Sequence, residues 1–180
     1  MITCRDEMLA ERLRICRQHG MKPRYHHHFI GGNFRLDEIQ AAILTVKLPH
    51  LNGWSAARRA AADFYGEELD RAGLARKISR PAEPYGQPSL TNHHIYHQYV
   101  IRTQMRDALR EHLAQHEIET EIYYPIGLHM QECFAHLGYR KGDFPETERA
   151  ARETLALPIY PEISDETQRY VANAIAEFFG

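Results

Sequence analysis

Apolar residues recur at helical spacing over the first seventy or so positions, and switch to strand-like alternation only beyond residue 93. Leu9, Leu13 and Cys16 fall on one face of a helix expected over residues 6–19, with Thr3 as its cap, Asp6 and Glu7 at its start and Gly20 as its stop. A loop over 21–33 follows. Ile39, Ala42, Ile43 and Val46 form the stripe of a second helix over 36–48, which Pro49 interrupts. A long helix over 50–72 is then traced by Leu51, Trp54, Ala57 or Arg58, Ala61, Phe64, Tyr65 and Leu69. Pro81, Pro84, Gly86 and Pro88 make 79–92 a loop and the best internal boundary. Beyond it the pattern predicts a strand over 95–101, a helix over 104–116, a strand over 118–124, helices over 131–137 and 146–155, and a short edge strand at Leu157-Pro158-Ile159. A last helix is capped by Ser164, with Val171, Ile175 and Phe178 on its inner face.

These elements describe an α+β chain in which a small sheet is covered by helices. Three segments are expected, 1–49, 50–92 and 93–180. The 180 residues suffice for a hydrophobic core, and 43% hydrophobic with 26% charged residues is ordinary for a folded domain. A net charge of −2 argues against nucleic acid as a partner. No apolar run reaches the roughly 20 residues needed to cross a bilayer, and the first residues show no apolar core of a secretory leader. Cys4, Cys16 and Cys133 are odd in number and far apart, which argues against disulfides or a zinc site and for a cytoplasmic location.

Four stretches are candidates for chemistry. His26-His27-His28 reads as a polar loop, because adjacent side chains point in different directions and do not close on one metal. His93, His94 and His97 could line a site from a strand, although the edge of a half-buried sheet is the better reading. Gly31-Gly32-Asn33-Phe34-Arg35 precedes a helix and admits two readings. Either the helix start and Arg35 hold an anion, or Asn33 caps the helix and Arg35 pairs with Asp37 or Glu38. Tyr123-Tyr124-Pro125-Ile126-Gly127-Leu128-His129 closes the second strand, where rings and a histidine could grip a sugar or merely pack the sheet edge.

The run His28-Phe29-Ile30-Gly31-Gly32-Asn33-Phe34-Arg35-Leu36-Asp37-Glu38-Ile39-Gln40-Ala41-Ala42 is similar to the Gly-x-Asn-x-Arg-Leu-x-x-x-Gln-Ala-Ala motif of the DegT/DnrJ/EryC1/StrS aminotransferases. Ala10–Gly20, 95–101, 118–129, Gly142-Asp143-Phe144-Pro145 and 155–162 resemble the same family in order, so the resemblance covers essentially the whole chain. It implies the C-terminal part of a fold type I enzyme. The first segment would close its large domain and contribute to the dimer, and the last would be its small domain.

Members of that family are homodimers that use pyridoxal phosphate (PLP) to move an amino group, usually from glutamate, onto a nucleotide-linked keto sugar. The resemblance implies that Asn33 reaches the partner subunit's PLP phosphate and that Arg35 assists with an anion. It places His129, and more weakly Tyr124, beside the substrate. It also implies what this chain lacks. None of Lys22, Lys47, Lys77 and Lys141 stands in the motif of the lysine that carries the cofactor, so no catalytic residue is assigned and the chain is expected to be inactive alone. A truncated frame, a fragment and half of a split enzyme all fit. Two departures touch the substrate side: Gly127 stands where the family usually has proline, and His97 where asparagine is common. A non-catalytic binding module that kept the fold is the alternative, and an unrelated metal-binding α+β protein is a third reading that the ligand spacing disfavours.

Overall fold

The computed structural model describes residues 2–84 and 93–180, and the chain divides into two units, Met1–Pro49 and His50–Gly180. The end of the expected 79–92 loop, with Gly86 and Pro88, lies outside the described residues.

In the first unit, α1 (Glu7–Cys16) starts later than Thr3 would allow. Asp6 is the cap, its Oδ1 accepting from Met8 N (2.8 Å) and Leu9 N (3.1 Å), because its short carboxylate reaches the free N–H groups of the first turn. The loop behind α1 folds back onto the helix end. Gly32 N donates to Cys16 O, Phe34 N to Arg17 O, and His28 N to Gly20 O. Gly20 is required there: its φ is +69°, and a Cβ would stand 1.8 Å from Phe29 O. α2 (Glu38–Lys47) begins after Asp37, which forms a capping box with Gln40, so Asn33 does not cap it. Ile39, Ile43 and Val46 on the stripe of α2 are exposed.

A 3₁₀ turn, Leu48–His50, leads into α3 (Leu51–Arg71). Its buried face is Ser55, Ala61, Ala62, Tyr65, Glu68 and Leu69, whereas Leu51 at its start is exposed. The sheet pairs β1 (Tyr99–Arg102) antiparallel with β2 (Thr154–Leu157), Tyr99 opposite Leu157 and Ile101 opposite Leu155. Single bridges extend it on both sides, Ser79 to Arg102 and Glu121 to Ala156.

The differences in the strands have local causes. The strand expected over 95–101 starts only at Tyr99 because Tyr96 turns the chain at φ 44° and gives its N–H to His94 Nδ1 (3.1 Å). That turn buries Tyr96 and exposes Ile95, the reverse of a continued strand. The strand expected over 118–124 is reduced to the Glu121 bridge, since Ile122 donates its N–H to the Glu121 carboxylate (2.8 Å) instead of to a ladder. The edge strand expected at Leu157-Pro158-Ile159 lies earlier, as β2, and runs between β1 and Glu121. It stops at Pro158, which has no N–H to donate.

α4 (Arg106–Gln115) starts after Thr103 Oγ1 takes the N–H of Met105 (3.3 Å). The expected helix over 131–137 is a 3₁₀ turn, Glu132–Leu137. α5 (Pro145–Glu153) opens with proline in its first turn, and α6 (Asp165–Phe179) is capped by Ser164, as the sequence pattern predicts.

α3, α4 and α6 close over this sheet. Tyr65, Leu69, Ile101, Leu109, Leu113, Leu155, Val171 and Ile175 form its core. Tyr65 stacks on Tyr99 (ring centroids 5.2 Å) and donates its hydroxyl to Pro158 O (3.0 Å), so the large ring is buried with its polar end satisfied. Buried Gln168 likewise donates to Ala61 O (2.6 Å), joining α6 to α3.

Candidate functional site

Asn33 and Arg35 stand side by side in the first unit. Main-chain hydrogen bonds place them: Asn33 bridges Gln18, and Phe34 N holds Arg17 O. Both side chains are exposed, and Arg35 Nε donates to Asn33 Oδ1 (3.0 Å). The Asn33 amide N–H groups and the guanidinium's outer nitrogens are the donors a phosphate would use. The start of α2 does not contribute as an anion site, because Asp37 occupies its cap with a negative charge. No ion pair joins Arg35 to Asp37 or Glu38 among the described residues. The preceding histidines serve the loop, with His27 Nδ1 bonded to His19 O (2.8 Å) and His28 Nε2 bonded to Lys22 O.

In the second unit His129 is placed by the turn before it and by α5. Its side chain is only 6% exposed, and its Nε2 donates to Glu148 Oε1 (3.1 Å). Gly142 N donates to the same oxygen (2.6 Å). The Gly142 N–H, then His129, hold the Glu148 carboxyl below the usual carboxylate range. A carboxylate on Nε2 fixes the imidazole tautomer and its ring plane. Gly127 makes room for the ring: a Cβ there would stand 2.8 Å from His129 Cε1 and 2.9 Å from Nδ1. Gly127, one of the two departures from the resembling family's pattern, is therefore fitted closely around His129. His129 joins Leu128, Phe134, Leu137, Tyr139 and Phe144 around an open apolar cleft of about 410 Å³.

Tyr124 is 74% exposed and does not line that cleft. A second, more polar cleft of about 470 Å³ is bordered by His97, Glu119, Glu121, Tyr123 and Tyr160. The structure thus does not bring His129 and Tyr124 together in either cleft. His93 and His94 have a different task. Glu83 accepts from Arg59 Nη2 (2.9 Å), His93 Nε2 (2.5 Å) and the Tyr96 hydroxyl, while Arg59 also reaches His94 O (3.4 Å). The Tyr96 hydroxyl and the Arg59 guanidinium hold the Glu83 carboxyl down at about 2, and burial beside that carboxylate pushes the Tyr96 phenol up.

Glu148 is the residue of this candidate site that sequence reasoning passes over. It lies in the first turn of α5 behind Pro145, where an acidic residue already has a sufficient explanation in the helix dipole. Only its pairing with His129, 19 positions earlier, distinguishes it.

The profile of the DegT/DnrJ/EryC1/StrS aminotransferase family matches residues 1–176. The chain is 47% identical over 179 residues to a protein of Geobacillus stearothermophilus described as a pleiotropic regulatory protein, covering 99% of this chain and 46% of that one. It is 38% identical to the UDP-N-acetyl-3-dehydro-alpha-D-glucosamine 3-aminotransferase of Acidithiobacillus ferrooxidans, covering 97% and 44%. Among solved structures, DesV of S. venezuelae in complex with a ketimine intermediate superposes with a TM-score of 0.81 at 37% identity, covering 96% of this chain and 44% of that chain. The chain therefore spans less than half the length of these relatives.

Proposed function

The chain belongs to the DegT/DnrJ/EryC1/StrS aminotransferase family, and from that premise we propose that these 180 residues act as the C-terminal part of a PLP-dependent enzyme that moves an amino group from glutamate onto a nucleotide-linked keto sugar. The observation that carries this is coverage. Nearly the whole chain aligns with under half of a protein described as a nucleotide-sugar aminotransferase, that of A. ferrooxidans.

In this reading 1–49 completes the large domain and the dimer contact, 50–92 connects, and 93–180 is the small domain. PLP, when bound, supplies the electron sink. Asn33 and Arg35 would hold its phosphate across a homodimer, by side chains alone. That donor set fits a phosphate and nothing else of the cofactor. Of the four lysines, Lys22 is paired with Glu11 and Lys77 lies over the Phe179 ring (5.9 Å), and none stands in the family's lysine motif. On this reading the 180 residues alone do not transaminate. His129, held in one tautomer by Glu148, orients the sugar at the wall of the apolar cleft, and Tyr124 contacts it from a more exposed position. Three free cysteines agree with a cytoplasmic site of action.

The description of the 47% identical G. stearothermophilus relative supports a second reading, a binding or regulatory module without turnover. One experiment separates the two. The chain is mixed with a lysine-bearing N-terminal part of a family enzyme, and amino transfer from glutamate is measured. Transfer is expected only in the mixture, falling on the order of tenfold or more with His129→Ala or Asn33→Ala. Turnover by the chain alone would overturn the proposal. A folded mixture that binds nucleotide sugar without turnover would favour the second reading.

A further inference from the structure

His112 lies in the last turn of α4 and His116, four residues on, is its C-terminal cap; the two imidazoles lie side by side, with ring centroids 4.4 Å apart. α6 packs against α4 and brings Glu177 to them. His116 Nε2 stands 3.5 Å from Glu177 Oε2. One ligand atom from each of the three residues lies within 4.8 Å of the others. We propose that His112, His116 and Glu177 bind a single transition-metal ion of the Zn²⁺ class, which clamps α4 to α6.

Donors bonded at about 2.1 Å in a tetrahedron stand roughly 3.4 Å apart. The 3.5 Å pair already has that spacing, the other separations stay within 4.8 Å, and the exposed Glu177 carboxylate is free to rotate toward the rings. The ring protons are placed for it. His116 Nδ1 donates to His112 O (2.9 Å), and His112 Nε2 to Ala174 O (3.0 Å). Carbonyl oxygens only accept, so each neutral ring carries its proton on the bonded nitrogen and keeps a lone pair on the other. Main-chain carbonyls of this kind are the usual outer partners of histidine ligands. Phe178 lies 5.5 Å from the His112 ring and covers one side of the site. Two imidazoles and one carboxylate suit Zn²⁺, Co²⁺, Ni²⁺ or Cu²⁺ over Mg²⁺ or Ca²⁺, and leave a fourth position for water.

This site is independent of the aminotransferase reading, and its test needs no turnover. The full chain is titrated with Co²⁺, followed by the visible absorption of tetrahedral cobalt, and then with Zn²⁺ in competition. Thermal midpoints are recorded with and without Zn²⁺. One equivalent is expected, with a Zn²⁺-dependent rise in midpoint. Glu177→Gln and His116→Gln are expected to weaken binding on the order of tenfold or more. Glu177→Gln changes an exposed side chain, so its metal-free midpoint should match that of the parent and separate ligand loss from misfolding. His26→Gln, His27→Gln and His28→Gln together should leave binding unchanged. Binding that survives Glu177→Gln and His116→Gln, or that disappears with the loop substitutions, would overturn the proposal, as would no binding at a several-fold excess of Co²⁺.

Discussion

Glu83 draws Arg59 of α3 and both His93 and Tyr96 of the segment before β1 onto one carboxylate, and its charge strengthens all three contacts. Its carboxyl is held at about 2, below an unfolded value near 4.5, so its contribution is complete above pH 4.5 and drains away as pH falls toward 2. Glu83→Gln should therefore cost about 1 kcal/mol near neutrality, a figure kept small by partial exposure. The difference from the parent protein should shrink between pH 4.5 and 3, measured by denaturant midpoints at several pH values. A constant difference would contradict this account. Glu148 follows the same sign, its carboxyl lying below the ordinary range in the folded protein. Gly127→Ala should displace the His129 ring, because the added methyl enters its space at 2.8 Å. The readout is the shift of the His129 ring protons by NMR with the fold otherwise kept, and an unmoved ring would contradict the packing argument. At this scale the sequence singled out His129 and Asn33 as candidates, through the motifs that carry the family resemblance. It hid Glu148 and Glu83, whose meaning depends on partners 19 and 24 positions away.

At the scale of elements, the helices were legible because each carries its own period and stop, and the strands were not. Periodicity located α3, α4 and α6, and Ser164 marked its own helix start. It overextended β1 and the second strand, since alternation cannot show that His94 captures the Tyr96 N–H or that Glu121 captures that of Ile122. Caps were misread by a few positions where two candidates compete. Thr3 and Asp6 both precede α1, and the one that reaches the free N–H groups wins. Asp6→Ala should then lower the stability of α1 by about 1 kcal/mol, while Thr3→Ala should be silent in the same helix-protection measurement. In α4, Leu109→Ala empties a fully buried position between helix and sheet and should cost about 2–5 kcal/mol in urea unfolding. Buried Arg106 donates to Ala151 O (3.2 Å) and Thr154 O (3.1 Å), tying the start of α4 to the end of α5. The sequence pattern alone gives no reason to bury a charge there.

Over the whole molecule, apolar burial is uneven. The second unit holds the core, whereas Met8, Ile30, Ile39, Val46 and Leu48 of the first unit are exposed by two thirds or more. Exposed apolar side chains in this number are what an association surface would need. In the proposed enzyme that surface belongs to a large domain and a dimer contact. On the proposed reading these residues supply the partner-facing and substrate-facing parts of an aminotransferase whose cofactor lysine lies elsewhere. The most direct measurement is to incubate the purified chain with PLP, reduce with borohydride and map pyridoxyl-modified lysines by mass spectrometry. The account predicts no specific label on Lys22, Lys47, Lys77 or Lys141. A single stoichiometric label on one of them, together with amino transfer from glutamate, would contradict it.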